Sequence, residues 1–164
     1  SARFGTPVSE ARIDSALARL ALIRRPDSDM EMASPLQDLW TFAEGRGLWR
    51  ELPWAQRRDQ LEVMARLTRE LYPGLRWFLF DGLKRYSVAF TLFGPLRAAV
   101  YFGNMYFVFN ATEQVRVLAS HFDELIRAAA VQPPDVPALI EQLIRDNEPG
   151  SGRVARRATQ EKKR

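Results

Sequence analysis

The spacing of apolar residues changes twice along the chain. It is three to four residues up to about Leu71, two residues between Leu75 and Phe109, and three to four again from Thr112 to Ile144. The longer spacing is typical of amphipathic helices and the shorter one of strands. The pattern therefore predicts an α+β protein in which helices cover a small sheet.

The N-terminal part predicts two helices joined by a linker. The first begins after a capping Ser9 and ends near Ile23, and a charged linker over Arg24–Ala33 follows. The second begins at Ser34, where a serine cap, a proline at the first helical position and Gln37 suggest a capping box.

Three further helices are predicted on either side of the strands. One runs from Pro53 to Leu71 and ends at a Pro-Gly pair. Another follows a capping box at Asn110–Glu113 and is broken by two prolines. The last is capped by Asp135. The total is about five helices.

Four short runs with strand spacing are separated by turns that are too short for a crossover helix. The sheet is therefore predicted to be mainly antiparallel, with three to four strands. Gly103-Asn104 suits a two-residue hairpin. The runs are Leu75–Phe80, Tyr86–Leu92, Arg97–Phe102 and Met105–Phe109.

Charge divides the chain into three expected parts: an N-terminal helix and linker (1–33), an α+β regulatory domain (34–148) and a basic disordered tail (149–164). The tail has six basic residues and one acidic residue, which gives it a charge of +5. The whole chain has a net charge of +4, so the residues before the tail carry −1 and are close to neutral. The basic residues that we consider for nucleic-acid contact are Arg153, Arg156, Arg157, Lys162 and Lys163.

Residue types argue against catalysis, and we expect a protein that is not an enzyme and uses no cofactor or metal. Cysteine is absent and His121 is the only histidine. Known catalytic and phosphate-binding motifs are also missing. No apolar run is long enough for a membrane helix, so a cytoplasmic location is expected.

The most distinctive feature is a hairpin with large apolar residues on both of its faces. One interpretation is a sheet packed between helices. The other is that the second face lines a pocket for an apolar or aromatic ligand, or forms a dimer surface. The residues predicted for that role are Trp77, Phe90, Tyr101, Tyr106 and Phe107.

Three segments carry a resemblance to a known family: Phe93–Ala98 (FGPLRA), Tyr101–Phe109 (YFGNMYFVF) and His121–Ala129 (HFDELIRAA). Together they resemble the C-terminal regulatory half of bacterial helix-turn-helix transcription regulators. The resemblance implies a regulatory domain that acts beside a DNA-binding domain. Only Ser9–Ile23 precedes the linker, which is too little for a three-helix DNA reader. The chain is then either a truncated regulatory half or a stand-alone relative.

Two functions remain open at this point, and a third ranks below them. The first is a regulatory module that senses a small apolar or aromatic ligand, dimerises, or does both. The second is a stand-alone interaction module, such as a homodimer or an anti-regulator, without a ligand. The third is nucleic-acid binding through the basic tail. The expected partner is a second copy or another protein, and DNA is reached indirectly or through the tail.

Overall fold

The computed structural model describes residues 29–102 and 105–152. The predicted helix over Ser9–Ile23 and the basic tail from Arg153 onward lie outside these residues. The described part is α+β, with six strands and four α-helices. The strands are β1 (Met30–Pro35), β2 (Leu75–Phe80), β3 (Phe90–Phe93), β4 (Arg97–Phe102), β5 (Met105–Phe109) and β6 (Ala129–Val131). The helices are α1 (Leu36–Glu44), α2 (Trp54–Glu70), α3 (Thr112–Arg127) and α4 (Val136–Asn147), with 3-10 turns at Gly47–Trp49 and Pro133–Asp135.

The strands form one mixed sheet in the order β5-β4-β3-β1-β2-β6. β1 pairs in parallel with β2, whereas the other four pairings are antiparallel. The sheet is therefore mainly antiparallel, as predicted, but it is mixed and has six strands where three to four were predicted. The α+β class is confirmed.

Strand β1 explains most of that difference, because it occupies part of the predicted linker over 24–33. On one face of β1 the residues are small or polar, and Glu31 and Ala33 are neighbours on that face. Such a strand has no strong period-two signal, yet it is hydrogen-bonded on both sides, to β2 and to β3. Tertiary pairing thus determines this element where local pattern does not.

The predicted capping box at the start of α1 is also wrong. The helix begins at Leu36, Pro35 occupies the N-cap position, and no side chain caps it. Gln37 instead bonds across the molecule: its Nε2 donates to Asp81 Oδ1 at 2.7 Å and its Oε1 accepts from the Gly82 amide at 2.8 Å. Ser34 Oγ accepts from the indole Nε1 of Trp77 at 2.8 Å.

Three other boundaries differ from the sequence predictions. The run Tyr86–Leu92 forms a strand only from Phe90, and the chain before it is a turn and loop. Helix α3 begins at Thr112 without a side-chain cap, so the Asn110 capping box is not formed. Between α3 and the proline pair the chain adds β6, which pairs with β2.

Helices pack on both faces of the sheet around two clusters of buried residues. The first cluster joins α1, α2 and α4 to β2. Its buried members are Leu36, Leu39, Phe42, Ala43, Leu61, Ala65, Leu79, Val136, Ile140 and Leu143. The second cluster joins α3 to the opposite face. Its buried members are Ala33, Phe78, Phe80, Phe90, Leu92, Ala98, Val100, Phe122 and Leu125.

Phe122 is the central anchor of the second cluster, and its truncation tests the packing of α3. Its ring lies edge-on to Phe78 at 5.8 Å and to Phe90 at 5.3 Å, and the residue is 1% exposed. We expect Phe122→Ala to lower the free energy of unfolding by about 3–5 kcal/mol in urea denaturation, through lost burial and a residual cavity. Val117→Ala on the same helix, where Val117 is 69% exposed, is the control and changes stability by less than about 0.5 kcal/mol. Equal losses for the two variants would contradict this packing.

Candidate association surface

Strand β5 lies at one edge of the sheet, with β4 on one side and no strand of the described part on the other. Its outward backbone groups follow from the hydrogen bonding of β4. The Tyr101 amide donates to the Ala89 carbonyl at 3.0 Å, on the β3 side, so Tyr101 directs its backbone away from β5. Tyr106, its cross-strand partner, therefore directs its N–H and C=O away from β4, and so does Val108 two residues on.

Four consecutive side chains of β5 are large, apolar and exposed. The exposed fractions are 59% for Met105, 63% for Tyr106, 53% for Phe107 and 55% for Val108. The strand MYFVF also carries no charged residue. Natural edge strands are usually short, charged, bulged or covered, because an open apolar edge pairs with other strands. β5 has none of these protections within the described residues.

The sheet nevertheless holds β5 in a defined position. Phe109 is half-buried and packs against the second cluster, opposite Ala98 in the ladder. On the other face the rings of Tyr101 and Tyr106 contact each other, with centroids 6.3 Å apart. The exposed apolar side chains therefore sit on a fixed strand, which is a suitable template for pairing.

The five residues predicted to line a pocket or interface divide between the two faces of the sheet. Trp77, Tyr101 and Tyr106 share the face that bears Met32, whereas Phe90 and Phe107 share the opposite face. They do not line one common space.

Burial separates the five residues further. Phe90 is 2% exposed and fully packed in the second cluster, and Trp77 is half-buried against the first. Tyr101 is half-buried. Of the five, only Tyr106 and Phe107 are exposed, and these neighbours in β5 lie on opposite faces of the sheet.

A cavity of about 430 Å³ lies elsewhere, at the connection from β2 to β3. Its lining residues are Asp81, Lys84, Arg85 and Ala128. Lys84 Nζ lies 3.7 Å from Asp81 Oδ2. Walls of this charged kind do not suit the apolar ligand that the sequence suggested.

His121 has a partner that the sequence did not indicate. Its Nε2 lies 3.0 Å from Ser87 Oγ, and its ring stacks on Phe90 with centroids 5.8 Å apart. The Ser87 oxygen also lies 3.1 Å from the Val88 carbonyl, to which its hydroxyl can donate. The contact with His121 joins the loop before β3 to α3.

No group of three or more metal-ligating side chains comes together within residues 29–102 and 105–152. In that same part of the chain, no helix combines the length and the apolar character needed to cross a bilayer. No family model matches the chain, and neither a curated protein nor a solved structure shows significant similarity to it.

Asp81 gives the cavity region a testable pH dependence. Hydrogen bonds from the Leu83 amide and from Gln37 lower the pKa of Asp81 below its usual range. A carboxyl group with a lowered folded-state pKa stabilises the fold above its unfolded pKa of about 3.9, and this stabilisation is lost as the pH falls through the folded value. We expect Asp81→Asn to destabilise the protein at pH 6, with a smaller difference from wild type at pH 3.

Urea denaturation at the two pH values measures that difference. Asp123→Asn, on an exposed position of α3, controls for the loss of one negative charge. If the difference in the free energy of unfolding between Asp81→Asn and wild type stays constant or grows toward pH 3, the carboxylate does not stabilise the turn.

Proposed function

We propose that this chain is a non-catalytic association module that forms a homodimer through the β5 edge. One observation carries the proposal. β5 is an edge strand that pairs with β4 on one side, has no charged residue, and exposes four consecutive apolar side chains. Association buries this apolar surface and satisfies the outward backbone groups of Tyr106 and Val108.

A second copy fits this edge because the strand is self-complementary. Antiparallel pairing about a two-fold axis at Phe107 places Tyr106 opposite Val108 of the partner subunit, and Met105 opposite the partner's Phe109. The outward N–H and C=O groups of Tyr106 and Val108 then exchange hydrogen bonds with the same groups of the partner. No like charges meet, since β5 has none. A two-fold interface of this kind closes on itself and does not propagate into a fibre.

The resemblance to the regulatory half of bacterial transcription regulators supports the same function. Helix-turn-helix proteins read two half-sites as dimers, so a regulatory half that dimerises sets the spacing of its DNA readers. Within this proposal the chain acts on DNA through its oligomeric state. The charged character of the described cavity gives no support to an apolar effector, so we place the function on association and not on ligand sensing.

Val108→Pro tests the proposed interface at a position where the fold tolerates proline. The Val108 N–H faces outward, so its loss leaves the β4–β5 ladder intact while it removes one donor per subunit and adds a ring at the edge. Two lost hydrogen bonds, each worth about 0.5–1.5 kcal/mol, weaken the dimer by roughly 5- to 150-fold. Sedimentation velocity across a dilution series measures the dissociation constant.

A proline at Val117 would break α3 and cannot serve as a control. The matched pair is therefore Val108→Lys on β5 and Val117→Lys on α3. Both positions are exposed valines, at 69% and 55%. Only the β5 lysine is expected to abolish the dimer, since a charge on an edge strand opposes pairing. A wild-type chain that stays monomeric at high micromolar concentration, or a Val108→Pro chain that associates as tightly as wild type, contradicts the proposal.

A further inference from the structure

The turn that follows β2 forms most of the wall of the cavity of about 430 Å³. Asp81, Lys84 and Arg85 of this turn line the cavity, together with Ala128 at the C-terminal end of α3. Sites for small molecules usually have volumes of about 300–1,000 Å³. The cavity therefore has room for a small metabolite.

The backbone of this turn is held by hydrogen bonds within the protein. The Asp81 carbonyl accepts from the amides of Lys84 at 3.1 Å and of Arg85 at 3.0 Å. The Gly82 amide donates to a side-chain oxygen of α1 at 2.8 Å, and the Leu83 amide donates to Asp81 Oδ1 at 2.9 Å. These four amides already have acceptors, so a ligand is held by side chains that a preorganised turn presents.

Among the charged side chains of the cavity, the two cations are the ones available to a ligand. Asp81 Oδ1 accepts from Gln37 Nε2 at 2.7 Å as well as from the Leu83 amide, so this carboxylate serves the turn itself. Lys84 Nζ lies 3.7 Å from Asp81 Oδ2 and its side chain is 82% exposed, which makes a weak ion pair. Arg85 is exposed and forms no ion pair with another described residue. The free binding capacity of the cavity is therefore cationic.

We propose that this cavity binds a small organic phosphate monoester, with Lys84 and Arg85 on its phosphate group. A guanidinium is a planar fork that bonds two oxygens of one group, and an ammonium is a point charge that engages a third. A phosphate monoester offers three terminal oxygens and a charge of about −1.5 to −2 at pH 7, which matches two cations better than a carboxylate does. This binding goes beyond the association proposed for the β5 edge and does not depend on it.

The shape of the site favours a small ligand over a nucleic acid. A nucleic-acid backbone draws its affinity from many phosphates that lie along an extended basic surface. Here Lys84 and Arg85 border a concave site, and the acidic Asp81 lies between them and the end of β2. A single phosphate group that enters the cavity meets both cations at once, whereas a polymer passes over its mouth.

An NMR titration of the full chain with glycerol 3-phosphate tests the proposal. The amide signals of residues 82–85 report on the turn, and their shifts give a dissociation constant even for weak binding. We expect these signals to shift along one saturable curve. Glycerol, which lacks the phosphate group, and sodium chloride at matched ionic strength are the controls, and neither is expected to produce this curve.

Two substitutions separate the cations from the shape of the cavity. Arg85→Gln removes charge-assisted hydrogen bonds and is expected to weaken glycerol 3-phosphate by at least about tenfold. The matched control is Arg116→Gln, at an exposed position about 18 Å along α3 from Ala128, and is expected to change the dissociation constant by less than about twofold. Ala128→Leu narrows the cavity without a change of charge. It is expected to weaken glycerol 3-phosphate by at least about fivefold and the smaller inorganic phosphate by less than about twofold.

Three results overturn the proposal. The first is the absence of a saturable shift at residues 82–85 up to about 10 mM glycerol 3-phosphate. The second is an equal loss of affinity in Arg85→Gln and Arg116→Gln, which would reduce the effect to general charge screening. The third is an Ala128→Leu chain that binds glycerol 3-phosphate as tightly as wild type, or a short DNA duplex that shifts the same signals when glycerol 3-phosphate does not. Either outcome would assign the two cations to a contact outside the cavity.

Discussion

The position of β1 between β3 and β2 is the constraint on which the remaining architecture depends. β1 pairs antiparallel with β3 and parallel with β2. It therefore joins the antiparallel meander of β3, β4 and β5 to β2. A parallel pair needs a crossover, and here α1 and α2 supply it between β1 and β2. The crossover helices pack at β2 on one face of the sheet, and α3 packs on the opposite face. The arrangement also places β5 at the far edge.

The two edges of the sheet are treated differently, and the contrast supports association at only one of them. The β6 edge is three residues long, and after Gln132 it is followed by Pro133 and Pro134, which cannot extend a ladder. The β5 edge has five residues, no charge and no proline. An edge that is short and terminated by proline discourages pairing, whereas a flat apolar edge favours it. The asymmetry favours the β5 edge over the β6 edge for the proposed association.

Sequence reasoning succeeded where local pattern and burial agree. The strands at Leu75–Phe80, Arg97–Phe102 and Met105–Phe109 form as predicted, and α2 agrees to within one residue at each end. It failed at β1 and β6, where short, small residues carry little pattern and pairing partners decide the conformation. Tyr106 and Phe107 were predicted to line a ligand pocket or an interface; they lie exposed on the β5 edge, and their role stays a prediction. Phe90 is buried instead, because α3 covers its face, and alternation alone does not reveal which face a distant helix covers.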